Sequence, residues 1–112
     1  RTEDEIIDAC RLLHSRGLKY ILDSRVRKGL LFSGDGMIIK AVAPPVDAES
    51  TVCSGDSAVA GFILAHSLGK SLPECVRLAC ASGTATAMTP GTELCHHEDV
   101  EKIIPEVELT IL

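Results

Sequence analysis

Between Asp56 and Lys70 the chain carries no Asp, Glu, Lys or Arg, only the run S-A-V-A-G-F-I-L-A-H-S-L-G. A segment this long, apolar nearly all round, predicts a helix from Gly55 to Leu68 buried in the middle of a larger body and closed by Gly69. The stretch that opens it, V-C-S-G-D-S-A-V-A-G-F from Val52 to Phe62, sets one carboxylate, Asp56, among small residues at the helix start.

The rest of the chain is read around that helix. Thr2 and Glu5 form a capping-box pattern, and Ile6, Ala9, Cys10 and Leu13 follow at helical spacing until Gly17. K-Y-I-L-D, Lys19 to Asp23, reads as a strand, a helix-to-strand step typical of α/β chains. After the basic segment R-V-R-K-G come L-L-F-S, the turn signal G-D-G at Gly34 to Gly36, and M-I-I-K-A-V-A, which together predict a β-hairpin ended by Pro44 and Pro45. Ser71 and Glu74 make a second capping box and start a helix reaching about Met88, which Pro90 and Gly91 break. A short polar helix around Glu98 to Ile104 and a final strand in V-E-L-T-I-L complete the chain.

The 112 residues are enough for one domain with a modest core. With one Tyr, two Phe and no Trp, that core is expected to be aliphatic, without the stacking platforms of single-stranded nucleic-acid binders. The net charge of −5 also argues against a nucleic-acid partner while leaving room for a pocket that takes a small anion. Five cysteines, none in a C-x-x-C pair, read as reduced, partly buried thiols of a cytoplasmic protein. Cys95, His96 and His97 are consecutive and do not readily converge on one ion, so no metal site is expected there. No apolar run is long enough to span a bilayer and no signal-peptide pattern opens the chain, so no membrane partner is expected. The chain begins without Met inside a helical pattern, as a fragment of a longer protein would.

The first turn of a helix leaves backbone N–H groups without partners, and the macrodipole adds partial positive charge there. Such an end attracts anions, and Ser54 and Gly55 are small enough to let a phosphate approach the backbone. A carboxylate in the same place can take a proton from an attacking hydroxyl while the N–H groups hold the transferring phosphoryl oxygens. The competing reading is simpler: Asp and Ser are favoured helix starters, and Gly61 permits tight helix packing.

S-T-V-C-S-G-D-S-A-V-A-G-F resembles the C-terminal signature of the PfkB, or ribokinase-like, sugar kinases, whose core is usually written G-A-G-D. The helix before K-Y-I-L-D-S, the G-D-G hairpin, A-P-P-V and the later A-S-G-T-A-T-A helix resemble the family in order and spacing. The resemblance implies an α/β chain: residues 1–112 would be the C-terminal, ATP-binding portion of a ribokinase-like three-layer α/β/α fold with a β-hairpin, the N-terminal sugar-binding part being absent. D-A-E-S-T-V is most similar to the phosphosugar branch, that of 1-phosphofructokinase and tagatose-6-phosphate kinase. The activity implied is ATP-dependent phosphoryl transfer to a hydroxyl of a sugar phosphate of the fructose 1-phosphate or tagatose 6-phosphate type. By resemblance Asp56 is the catalytic base, Ser54, Gly55 and the Asp56 backbone form the anion hole, Cys53 is a further cofactor-binding position, Ser24 and Gly29 lie at the nucleotide phosphates, and Gly83 lies by the adenine. Mg-ATP is the implied cofactor. Ser50 stands where ribokinase usually has an Asp associated with a monovalent cation, so that cation site is not carried over.

Two departures touch phosphate handling. The family usually has S-L-G-x-x-G after the strand, and this chain has S-R-V-R-K-G, so Val26 replaces the first glycine. Cys53 replaces the first glycine of G-A-G-D, which costs about 1 kcal/mol or more of strain if that position needs positive φ. Arg25, Arg27 and Lys28 offer compensating charge. Two alternatives to an enzyme part therefore stand: a catalytically silent nucleotide-binding fragment, and a homo-association module that pairs its exposed core surface with a second copy or with the missing N-terminal part.

Overall fold

The computed structural model describes the backbone at residues 3–25, 29–43, 54–88 and 97–112. Within those spans the side chains of Glu3, Ser24, Arg25, Ser54, Gly55, Asp56, Ala87, Met88, His97 and Asp99 are outside the description. The elements run α1 (Glu3–Ser15), β1 (Tyr20–Arg25), β2 (Gly29–Gly34), β3 (Met37–Val42), α2 (Ser54–Ser67), α3 (Leu72–Met88), α4 (His97–Ile103), a 3-10 turn (Ile104–Glu106) and β4 (Glu108–Ile111). Each predicted element is present to within a few residues.

The four strands form one antiparallel sheet in the order β1-β2-β3-β4. Gly34 pairs with Met37 across a two-residue connection in which Asp35 (φ 49°) and Gly36 (φ 76°) both have positive φ. That is the primed hairpin turn the G-D-G signal calls for, since its twist matches the flanking strands. The Tyr20 hydroxyl donates to Asp35 Oδ2 at 3.1 Å and braces the turn against β1.

Helices cover both faces of the sheet, giving the three-layer α/β/α arrangement. On one face α1 packs Ile6 and Cys10 against Leu31, with Ile21 and Ile38 alongside. On the other, Leu30, Phe32, Ile39 and Ala41 meet Ala58, Phe62 and Ala65 of α2 and Cys75, Val76, Ala79 and Cys80 of α3. A strand covered on both sides needs no polar alternation, which is why β2 reads G-L-L-F-S-G and is buried from Leu30 to Gly34.

The core is largely aliphatic, and the few aromatic side chains gather within it: Phe32 stacks on Phe62 with centroids 5.2 Å apart, and Tyr20 lies 5.7 Å from Phe32 and 6.3 Å from Phe62. Tyr20 fits because it faces Gly34 in the register, where an added Cβ would sit 2.4 Å from Tyr20 Cδ1. His66 closes the cluster, 5.7 Å from Tyr20. His14 in α1 is also hydrogen-bonded: Nδ1 donates to the Leu18 carbonyl at 2.7 Å, and Nε2 lies 2.8 Å from the Ser33 hydroxyl.

The far end of the sheet is held by Arg77. Its Nη1 donates to the carbonyls of Ile104 (3.2 Å) and Val107 (2.7 Å), tying α3 to the chain entering β4. The Ile104 carbonyl also accepts the Val107 N–H that closes the 3-10 turn, and the charged donor binds it and the Val107 carbonyl together.

Candidate active site

α2 begins at Ser54, which places Ser54, Gly55 and Asp56 in its first turn. Cys53 and Val26 lie outside the described residues. Two contacts fix where this end sits. Ser57, one residue past Asp56 and buried, accepts a 2.7 Å hydrogen bond from Thr86 Oγ1 near the end of α3. One turn further on, an added Cβ at Gly61 would lie 2.6 Å from Ser82 Oγ and 3.1 Å from the Leu78 carbonyl, so the helices touch there with no room for a side chain.

Ser57 against Thr86 and Gly61 against Ser82 define an antiparallel pair in which the start of α2 lies beside the end of α3. Gly83, half-buried in α3, is thus about one helical turn from the level of Asp56, since each residue advances about 1.5 Å. Asp56, Gly55, Ser54 and Gly83 are grouped at one end of the helix pair. Ser24 and Gly29 are grouped separately at the open end of the β1–β2 strand pair, where Ser24 pairs with Leu30 and Arg25 with Gly29.

Ser57, Ser82 and Thr86 were not singled out from the sequence, although a signal was there. Ser57, Gly61 and Ala65 recur every fourth residue on α2, as Leu78, Ser82 and Thr86 do on α3, and residues so spaced share a helix face. Both stripes are small or polar for most of their length, which permits close contact. Removing the hydroxyl by Thr86→Val leaves the Ser57 hydroxyl buried without its donor, and a loss of about 1–2 kcal/mol is expected in urea unfolding. Ser57→Ala/Thr86→Val should recover part of that loss, because no buried polar group is then orphaned.

The cysteines near these helices are packing residues. Burial is the main cause raising the thiol pKa of Cys10, Cys75 and Cys80, so all three are protonated near neutrality and poor nucleophiles. None of these three is in a disulfide.

An acidic residue and small neighbours in the first turn of a long helix, pinned to a second helix by a buried hydroxyl pair, is an arrangement suited to holding an anion over the helix end. The sequence matches the model of the pfkB family carbohydrate kinases over residues 1–99. The chain belongs to that family. This kinase-family chain is 37% identical over 95 residues to ATP-dependent 6-phosphofructokinase isozyme 2 of Escherichia coli, covering 85% of this chain and 31% of that protein. It is 31% identical over 106 residues to 1-phosphofructokinase of Borreliella burgdorferi, covering 94% and 34%. Its fold matches the crystal structure of E. coli phosphofructokinase-2 in complex with substrates and products with a TM-score of 0.86 at 34% identity, over 94% of this chain and 34% of that one. It also matches Arabidopsis thaliana ribokinase complexed with ribose and ATP, with a TM-score of 0.83 at 27% identity over 93% and 35%. The fold is therefore ribokinase-like, and the chain spans about a third of the length of the relatives it matches.

Proposed function

We propose that this chain is the nucleotide-binding, base-carrying part of a kinase that moves the terminal phosphoryl group of ATP to a hydroxyl of a sugar phosphate. The observation that carries the reading is Asp56 in the first turn of α2, behind Ser54 and Gly55, in a chain of the pfkB family. In this reading the Asp56 carboxylate accepts the proton of the attacking sugar hydroxyl, and the free N–H groups at the α2 start hold the oxygens of the transferring group. Ser24 and Gly29 line the nucleotide phosphates, Cys53 sits at the edge of the anion hole, and Gly83 offers a surface without a side chain to the adenine.

Mg2+ enters as the companion of ATP. A small cation that dehydrates reluctantly, it would be held chiefly by the phosphate oxygens and water. It would neutralise charge developing on the phosphates. The relatives are named for 6-phosphofructokinase, 1-phosphofructokinase and D-tagatose-1-phosphate kinase, which supports a sugar phosphate as the substrate class. Fructose 1-phosphate and tagatose 6-phosphate are the first substrates to assay. A cytoplasmic site of action fits the unpaired, buried thiols, and among the described residues no helix is long and apolar enough to cross a membrane.

Calorimetric titration with Mg-ATP and Mg-ADP tests the nucleotide site. Micromolar to low-millimolar binding, retained in Asp56→Ala and lost in Gly55→Val, is the expected result. Absence of binding by the folded chain, and by E. coli isozyme 2 with this chain in place of its matching third, would overturn the reading. In that chimera Asp56→Ala should lower turnover by about 10²–10⁴-fold with nucleotide affinity little changed, as for removal of a general base.

One observation favours the association reading as well. Val59, Ile63 and Leu64 on the outer side of α2 are 47%, 60% and 56% exposed, an apolar strip on a helix that packs well on its other side. Sedimentation showing a well-behaved monomer would count against self-association.

A further inference from the structure

At the opposite end of the helix pair from Asp56, a pocket of about 310 Å³ is lined by Ala65, Lys70, Glu74, Arg77, Leu78 and Ile104. It lies between the end of α2, the start of α3 and the 3-10 turn. Ala65 is eight residues along α2 from Ser57, roughly 12 Å of helix, so this pocket is distinct from the proposed nucleotide site.

Its chemistry is set by two cations, Arg77 and Lys70, that have no ion pair among the described residues, over an apolar floor. Arg77 spends both hydrogens of Nη1 on the carbonyls of Ile104 and Val107. Those two bonds fix the plane of the guanidinium, while Nη2 and Nε have no partner among the described residues. The free edge of a guanidinium held in one plane matches a carboxylate or phosphate with two parallel hydrogen bonds. Among the described residues the Lys70 ammonium also has no ion pair or hydrogen bond, and neither has the Glu74 carboxylate, although both line the same pocket. Ala65, Leu78 and Ile104 supply the apolar wall. The volume is at the small end of the range for ligand pockets, about 300–1,000 Å³.

We propose that this pocket binds a small organic anion, with a carboxylate or phosphate-ester head against Arg77 and Lys70 and an apolar body along Leu78 and Ile104. The net charge of the three ionic side chains is +1, so Glu74 limits the affinity and should be felt as a repulsive neighbour.

The test is titration of the 112-residue chain with phenyl phosphate and with phenylacetate, read by NMR at the Ile104 and Leu78 methyl groups. Benzyl alcohol and inorganic phosphate serve as half-ligands. Saturable shifts with a Kd of about a millimolar are expected for at least one of the two anions. Which of them binds more tightly assigns the head group as phosphate ester or carboxylate. Lys70→Gln, an exposed change, should weaken binding by about 3- to 10-fold, and Glu74→Gln should tighten it by a similar factor. Mg-ATP binding should not respond to either variant, which separates this site from the proposed nucleotide site. No saturable shift, no effect of either variant, or half-ligands that bind as tightly as the whole ones would each overturn the proposal.

Discussion

Gly29→Ala is expected to destabilise the fold by about 4 kcal/mol or more, a loss beyond the ordinary range for point changes. Two independent terms act at this position. Gly29 has φ +90°, where a side chain costs about 1–2 kcal/mol of backbone strain. An added Cβ would also lie 2.1 Å from the Ala41 carbonyl oxygen, which is backbone and cannot rotate away. The β2–β3 ladder must open at Ala41, a residue with no exposed surface, or Gly29 must leave its pairing with Arg25. For a domain of this size each kcal/mol is worth about 4 °C or more of melting temperature, so a drop of at least roughly 15 °C is expected in a thermal melt.

That result bears on function, because Gly29 is also proposed to lie at the nucleotide phosphates. A glycine needed only for phosphate approach could become alanine with weaker ATP binding and an unchanged melting temperature. A glycine needed for the strand pair gives the opposite pattern. The geometry predicts that stability falls first, and an unchanged melting temperature for Gly29→Ala would show that the close approach to Ala41 is not maintained in solution.

How much could be read from residues alone depended on whether the signal was local. Asp35-Gly36 announces its turn because Asp and Gly are among the few residues that tolerate positive φ, and Ser71 with Glu74 announces α3 by local capping: the Glu74 N–H donates to Ser71 Oγ at 3.4 Å. The β1–β2 pairing was not legible, since R-V-R-K carries no turn dipeptide and the glycine after it is explained by Ala41, twelve residues further along. The aromatic cluster was missed for the same reason. Tyr20, Phe32 and Phe62 meet through strand register and helix placement, which composition cannot express. The α2 helix was expected to be buried in the middle of a larger body; its inner side is buried here, and Val59, Ile63 and Leu64 on its outer side are exposed in a chain that spans a third of its relatives' length. At the site, the acid and the small residues before it stand out in sequence, whereas the Thr86–Ser57 bond that places them does not.

Gly61→Val should have the second large effect, about 3 kcal/mol or more in chemical denaturation, with reduced nucleotide affinity in the protein that remains folded. The Cβ alone would meet Ser82 Oγ at 2.6 Å and the Leu78 carbonyl at 3.1 Å, and valine adds two methyl groups to a contact already full. Ser82 can be removed but the carbonyl cannot, so the helices must separate. Separation at Gly61 is levered one turn away onto the 2.7 Å Thr86–Ser57 bond and so onto the end of α2 that carries Asp56. Ser82→Gly removes the two nearest side-chain atoms, the oxygen at 2.6 Å and its carbon at 3.1 Å. The pair Gly61→Ala/Ser82→Gly should therefore be more stable than the sum of its single changes by about 1 kcal/mol or more. Strict additivity in that double-mutant cycle would mean that α2 and α3 do not meet at Gly61, and with that contact would go the argument that α3 sets the position of the first turn of α2.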